Sequence, residues 1–595
     1  MTATLVDPIE SIDEYIEQQD WRIKENSNQT YSLSGLSSQL SGKVTANYFL
    51  DKIYTPEEGQ AHREGRLHYH DLSILGIYCC GFSLRQLIEE GFGGVQGKVS
   101  SKPPKHLDTC MGQMVNAMFT LSQEIAGAVA YSDIDLYLAP FIREENLSDQ
   151  DIRQAIQQFV FSCNVPSRGG TQPSFTNVSM ALKVPEDMKD DNPIIGGEVL
   201  DYTYSELQDE MDRFNYIFFD VLEEGGPNGE VFTFPIPSVS ITEDFDWDSK
   251  VSEKLFSMTA KYGLPYFQNY IGSNLKPNSV RSFCCRLQLD LEALEEHSST
   301  GLFGAVENTG SVAVCTINMA RLGYLHKGDY KGLIKELDQL LDMAADGITR
   351  RRRMAEDLME RGLYPYLSHA LSGSLENHFS TIGINGMNEL VRNYSNDSED
   401  ITTESGEELS FQIISHIKDR MLEFQKKYGD LYNLEYTPSE GATTRFALRD
   451  REQYPDIIQA GTKTSPYYTN SAMTPVGFTD DIFEAMDINE RLQTLASGGT
   501  VFHIYCNDSI KTGEQAKQMI KAACENYKIP FFSITPTFAT CEEHGYILGD
   551  VESCPTCGGE VTVYTRVMGY FRPVKSFNKG KKSEYNERTY YDLSA

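Results

Sequence analysis

The chain predicts an α/β fold, a barrel or one large sheet, on three observations. Residues 498–537 read as strand, helix, strand: GGTVFHIYCN, then QAKQMIKAACENY, then KIPFFSITPT, the unit that joins parallel strands through a crossover helix. GSVAVCTINMARLGY at 310–324 reads as a buried strand. It precedes a long amphipathic helix in which Leu333, Ile334, Leu337, Leu340, Leu341 and Ala344 form one stripe. Strand and helix patterns alternate in this way over roughly 450 residues, as in sheets covered by helices.

Residues 1–45 read as a helical lead-in, SIDEYIEQQD, and then a Ser/Gly/Asn-rich arm. His68-Tyr69-His70-Asp71 precedes LSILGIYCC, a short β-type run, and FSLRQLIEE then has helical spacing up to Gly91. This places Cys79 at the C-terminal end of a strand, where sites collect in α/β folds. The loop GFGGVQGKVSSKPPKH (91–106) carries Lys98, Lys102 and Lys105 and resembles a phosphate cradle or a flexible surface loop. It is not a Walker A motif, because its spacing is one residue too long and Val99 stands where a hydroxyl should bind magnesium.

Residues 106–160 read as two helices. SRGGTQPSFTN (167–177) is a second glycine-bearing loop, in which Arg168, Gly169, Gly170, Thr171 and Asn177 could hold phosphates or a sugar; a plain turn fits equally well. FTFPIPSVSIT (232–242) reads as strand. In NSVRSFCCRLQLD (278–290), Cys284 and Cys285 lie between Arg281 and Arg286. Arginines lower a thiol pKa, but buried structural cysteine is the plainer reading. The four arginines at 350–353 read as a solvated or ion-paired face.

The tail carries two chelating turns, Cys541-x-x-His544 and Cys554-x-x-Cys557, each followed by glycine and set nine residues apart. Two short-spaced Cys/His pairs close a tetrahedral zinc site, and with all four positions filled the site is structural. Gly569, in RVMGY, has no evident turn to make, and on spacing alone it is a bulge glycine. A planar, radical-bearing Cα would also require glycine, the one residue without a Cβ.

Net charge is −34, which excludes a nucleic-acid scaffold, since neutralising phosphates needs a basic face. It suits a dispersed protein with small-molecule substrates. The sequence has no apolar run of membrane-spanning length and no signal-peptide pattern, so the cytoplasm is expected. The twelve cysteines are too sparse for a secreted disulfide framework and point to metal or redox chemistry.

RVMGY resembles the radical motif of glycyl radical enzymes. CEEHG…CPTCG…VYTRVMGYFRPVKSFNKGK is similar to the C-terminus of the anaerobic (class III) ribonucleoside-triphosphate reductases. Further similarity lies in DWRIKENSNQTYSLSGL, YCCGFSLRQLIEEGFGGVQGKVSSKPPKHLDT, SVRSFCCRL, HFSTIGINGMNEL and GGTVFHIY. The resemblance implies a ten-stranded α/β barrel of two half-barrels, in which a finger loop and the glycine loop meet. It also implies removal of the ribose 2′-hydroxyl from ribonucleoside triphosphates.

In that frame Gly569 stores the radical, Cys285 on the finger loop becomes the thiyl, and Cys79 donates at the 2′ position. Cys315 is a third thiol near the site, suited to a dithiol donor, with formate the alternative reductant. A pyruvate formate-lyase-like enzyme is the rival reading, since Cys284-Cys285 suits paired-cysteine chemistry. The expected partners are an external iron–sulfur, S-adenosylmethionine activating enzyme, a second copy of the chain, and ATP or deoxynucleotide effectors near Lys105 and His106. The family core pattern starts by Asp20, leaving no room for an N-terminal ATP-cone. The expected division is an arm (1–45), the barrel (46–537) and a zinc and glycyl radical domain (538–595).

Overall fold

The computed structural model describes residues 7–19, 21–273, 308–437 and 439–591. Cys284 and Cys285 therefore lie outside the described residues. Ten strands form the main path: β1 (Cys79–Phe82), β2 (Val129–Tyr131), β3 (Thr176–Met180), β4 (Ile236–Ile241), β5 (Tyr266–Asn269), β6 (Thr309–Asn318), β7 (His378–Asn385), β8 (Leu431–Glu435), β9 (Phe502–Asn507) and β10 (Phe531–Pro536). Their order is β8-β7-β6-β1-β2-β3-β4-β5-β10-β9.

Strands β1 to β5 are mutually parallel. So are β6 to β8, and so are β9 and β10. The first group meets the other two antiparallel, at β1/β6 and at β5/β10. The ends of the path are joined as well: Glu435 bridges Gly499 in parallel, and the Tyr436 N–H donates to the Gly499 carbonyl at 3.0 Å. The expected strand–helix–strand unit is present as β9, the helix Gly513–Asn526 and β10.

Helices cover the outer face of this sheet. Residues of β1 to β5 pack with the helices Leu107–Leu121, Asp149–Cys163, Gln208–Glu224 and Lys250–Tyr262 in one apolar cluster. Residues of β6 to β8 pack in another with the helices Tyr330–Glu360, Met387–Tyr394 and Glu404–Tyr428. The stripe from Leu333 to Ala344 lies in that second cluster, with Ile334 only partly buried.

Several expectations need correction. Residues 106–160 hold three helices, not two, because Ile134–Glu144 intervenes and the three-residue β2 precedes it. So short a strand leaves too little alternation to register in sequence. Cys79 opens its strand rather than closing it. LSILGIY runs as turns and bends broken by one parallel bridge, Ile77 to Ile125, and the strand itself begins where Cys79 meets Ser311 across the β1/β6 seam.

The arginine run divides. Arg350 and Arg353 are exposed and ion-paired, with Glu58 and with Glu356 and Asp430. Arg351 and Arg352 are each 1 % exposed. Arg351 donates to the carbonyls of His70, Asp71 and Gly76, and so holds the segment that leads into Cys79. Arg352 donates to the carbonyls of Leu375 and His378 at the start of β7. Buried carbonyls without secondary-structure partners need such donors.

The tail continues from β10 with only Thr537 between. Strands β11 (Phe538–Cys541), β12 (Gly545–Leu548), β13 (Thr562–Arg566) and β14 (Phe571–Pro573) form a separate antiparallel sheet, ordered β12-β11-β13-β14. Phe538 anchors it, with its ring stacked 5.4 Å from that of Tyr564. Among the described residues, no helix is long and apolar enough to cross a membrane.

Candidate functional site

Strands β13 and β14 make a hairpin closed by Arg566 opposite Phe571, and its loop is Val567-Met568-Gly569-Tyr570. Hairpin loops belong on the surface, yet all four of these residues are buried. The main sheet holds the loop. Tyr266, the first residue of β5, donates its hydroxyl to the Gly569 carbonyl. Arg566, 1 % exposed, donates to the carbonyls of Gly263 (2.8 Å) and Ile534 (3.3 Å). Its guanidinium also lies over the rings of Tyr266 and Phe571, 4.6 Å from each centroid. Gly569 thus sits where the N-terminal end of β5 meets the C-terminal end of β10.

Cys79 lies on the inner face of the sheet. Its neighbours Cys80 and Phe82 belong to the outer apolar cluster and Cys79 does not, as the two-residue strand period requires. Gly310 passes so close that a Cβ there would stand 2.0 Å from the Cys79 carbonyl oxygen, so the seam at this thiol depends on glycine. Beyond it on the inner face, the Ser311 and Thr381 hydroxyls are 2.8 Å apart.

Asn177 of β3, Asn385 of β7 and Asn433 of β8 are each at most 2 % exposed, and neither polar atom of any of the three amides has a hydrogen-bond partner. Strand alternation turns all three inward, because Val178, Ile384 and Leu434 pack outward. Buried amides left bare are costly unless something polar meets them. The inner face therefore offers donors and acceptors that ordered water or a polar ligand can meet. Asn177 was expected from sequence. Asn385 and Asn433 were not; the available signal was a carboxamide in an otherwise apolar strand.

The other members of the 167–177 loop do different work. Arg168 spends its guanidinium on the carbonyls of Ile125, Ala126 and Gly127, beside the segment that pairs with Tyr78. Gly169 and Gly170 have φ of +56° and +68°, the left-handed turn that glycine permits. Thr171 donates to the Arg168 carbonyl. In this arrangement the loop braces β2 and does not face the inner amides with a free cation.

Cys315 is fully buried on the opposite face from Cys79. The register of β6 against β7 shifts by one residue at Val312, so Ser311 points inward while Ala313, Cys315 and Ile317 pack outward against the long helix. Burial raises its thiol pKa well above the usual range. The structure does not bring Cys315 to Cys79, which corrects the expectation of a third thiol at the site.

His106 precedes the helix Leu107–Leu121 and is exposed, its Nδ1 2.8 Å from Glu145. The Lys105 stem packs over Gly196. That helix and Asp149–Cys163 flank a hollow of about 220 Å³ lined by Met111, Val115 and Phe159.

In the tail, the ligand atoms of Cys541, His544, Cys554 and Cys557 all lie within 4.8 Å of one another. Cys541 Sγ is 3.8 Å from Cys557 Sγ, and His544 Nδ1 is 3.7 Å from the sulfurs of Cys541 and Cys554. A tetrahedron with sulfur at ~2.3 Å from zinc has S···S edges of ~3.8 Å. The donors fit a metal such as zinc. The backbone N–H of Cys557, with further N–H and thiol donors, lowers the Cys554 thiol to about 6, which favours the ligating thiolate.

Comparison with known proteins agrees with this arrangement. Residues 25–591 match the family model for anaerobic ribonucleoside-triphosphate reductase. Among curated proteins, the enzymes of that name from Salmonella typhimurium and Escherichia coli are 21 % and 22 % identical, each over 95 % of this chain and 83 % of the relative. The crystal structure of the anaerobic ribonucleotide reductase from Thermotoga maritima in complex with dATP and CTP superposes with a TM-score of 0.74. It has 20 % identity and covers 98 % of this chain and all of the other.

Proposed function

The chain belongs to the anaerobic ribonucleoside-triphosphate reductase family, and from that membership we propose how its residues carry out the reduction of ribonucleotides to deoxyribonucleotides. The sheet with joined ends is read as a ten-stranded barrel of two five-stranded halves. Gly569 stores an unpaired electron on its Cα, where delocalisation into both flanking amides needs a planar centre without a Cβ. Gly569 takes a hydrogen atom from the Cys285 thiol and leaves a thiyl, which removes the 3′-hydrogen of the ribose. The 2′-hydroxyl leaves as water with a proton, Cys79 supplies hydrogen at that carbon, and the 3′-hydrogen returns from Cys285. The two electrons consumed come from formate or from a small dithiol protein.

The observation that carries this reading is the buried glycine hairpin. A loop that polar contacts pull into a sheet interior must present something there, and Gly569 is its tip. Inside, Asn177, Asn385 and Asn433 supply donors and acceptors for sugar hydroxyls or phosphates. Cys541, His544, Cys554 and Cys557 would hold zinc as a structural ion that folds the base of the hairpin. Gly569 cannot make its own radical, so an external activating enzyme with an iron–sulfur cluster and S-adenosylmethionine is required.

The remaining assignments extend this reading. Residues 538–595 act as the zinc and glycyl radical domain, 46–537 as the catalytic barrel and 1–45 as an arm. Lys105, His106 and the hollow between Leu107–Leu121 and Asp149–Cys163 serve nucleotide effectors at a homodimer contact; the Thermotoga maritima reductase, which has dATP bound in its specificity site, supports an effector site of some kind. With Cys315 turned outward, formate is the reductant this chain is better arranged to use. The test is anaerobic CTP reduction by activated enzyme with formate, set against a reduced thioredoxin-like protein. Deoxycytidine triphosphate formed with formate supports the reading, and no product with either reductant would overturn it.

A further inference from the structure

Tyr570, the residue after Gly569, is tied at its hydroxyl to two parts of the chain remote from the tail. Its oxygen is 3.0 Å from Glu440 Oε2, at the start of the helix Glu440–Gln453, and 2.9 Å from Asn26 Oδ1. Its ring stands edge-on to Phe175, centroids 5.3 Å apart, and lies near Phe234. Residues 25–28 hold the rest of the tail in the same way. Ser27 donates from N–H and Oγ to Glu440 at 2.9 and 3.2 Å, Arg572 donates to Asn28, and Asn578 donates to the Glu25 carbonyl at 3.1 Å. A segment at the start of the chain is thus strapped across the hairpin that carries Gly569.

The hydrogen-bond inventory of this cluster is short of one donor. Asn26 Oδ1 already accepts from the Asn28 N–H at 2.9 Å, which fixes the amide with its oxygen towards the phenol. The phenol has a single proton and faces two close acceptors, Asn26 Oδ1 and Glu440 Oε2; Ser27 Oγ stands farther off at 3.5 Å, nearer to Glu440 Oε2, to which it donates at 3.2 Å. Both contacts are satisfied together when the Glu440 carboxyl is protonated and donates to the phenol oxygen while the phenol donates to Asn26. Glu440 is 8 % exposed, and burial raises its pKa to about 7, against the lowering pull of the Ser27 and Tyr570 hydrogen bonds and of Lys581. The other charged groups facing this cluster are Arg572 on β14 and Glu25 on the strap, whose carboxyl lies against Gly441.

We propose that Tyr570 is the positioning residue of the glycine hairpin, and that Asn26 with a protonated Glu440 forms the latch that keeps Gly569 inside the barrel. Opening the latch frees the hairpin to leave, which is the state an external activating enzyme must meet. This rests on the reading of Gly569 as the radical site.

The test uses the zinc-loaded full chain and Tyr570→Phe, which keeps the ring and loses the hydroxyl. Before activation, hydrogen exchange of the amides at 567–571 is expected to rise about tenfold, with the β3 and β10 amides unchanged. After activation, the glycyl signal is expected to build up faster, while kcat per radical falls severalfold at unchanged KM. Asn26→Ala should move the same readouts in the same directions by less, without altering the tail sequence. Unchanged hairpin exchange in both variants overturns the latch. Faster exchange with unaltered activation rate and turnover overturns the positioning role. Faster exchange with no glycyl signal in any protein leaves the latch standing and overturns the reading of Gly569.

Discussion

The two halves of the tail are held by opposite means. The metal clip is built from its own residues: its four ligands come from one short stretch, its β12 strand is only half-buried with Tyr546 donating to the Lys261 carbonyl, and Cys557 is exposed. The hairpin that follows closes on itself through its strand pairing and the Val567 N–H on the Tyr570 carbonyl at 3.1 Å, and its place in the sheet is set by others. Tyr266, Gly263, Ile534, Asn26 and Glu440 all reach it from far away in sequence, the Tyr266 contact spanning 303 residues. The clip supplies a fixed base, whereas the hairpin is a removable insert whose position is a property of the whole molecule.

The largest expected effect comes from breaking the base. Stripping the metal with a chelator, or Cys554→Ser, should unfold the tail sheet and reduce turnover by at least about a hundredfold, because a site of this kind contributes folding energy outright. Circular dichroism should show the helices of the main sheet intact. Loss of the whole fold would contradict a main sheet that stands without the clip.

Next is Arg566→Ala, which removes the buried guanidinium that joins the hairpin to β5 and β10. It leaves carbonyls at Gly263 and Ile534 without a donor, and should cost about 3 kcal/mol in denaturant unfolding while metal content stays at one per chain. A smaller effect is expected from Tyr266→Phe, which removes the donor to the Gly569 carbonyl. The loss should be about 1 kcal/mol, read as faster exchange confined to residues 566–571.

An effect of similar size to that of Tyr266→Phe is a pH dependence of hairpin closure. Free glutamate titrates near ~4.3, while burial holds Glu440 at about 7 in the closed state. The closed hairpin therefore binds a proton that the opened one releases between those values. Its contribution is full below the free value and is lost as pH rises through about 7. Hairpin protection, corrected for intrinsic exchange, should be weaker at pH 8 than at pH 6, and Glu440→Gln should flatten the profile.

The clip was legible because its chemistry lies within a few residues: two pairs, two turns and their glycines. The unit from β9 to β10 was legible for the same reason. What could not be read were features set by partners distant in sequence. Cys315 looked like a site thiol until a one-residue register shift at Val312 turned it outward. Arg351 and Arg352 looked like surface charges, because the carbonyls they satisfy belong to the segments before β1 and β7. Arg168 resembled a phosphate ligand and instead caps the chain beside Tyr78. The inner carboxamides Asn385 and Asn433 gave a faint signal, polar residues within apolar strands, that gains meaning only once the neighbouring strands are known.

On the function proposed above, the buried glycine at the hairpin tip carries the radical. The most direct test of that role is the electron paramagnetic resonance spectrum after anaerobic reconstitution with the activating enzyme, comparing the native chain with Gly569→Ala. A glycyl doublet is expected in the native chain and is absent, together with CTP reduction, in the variant. A doublet that persists in Gly569→Ala would contradict that role.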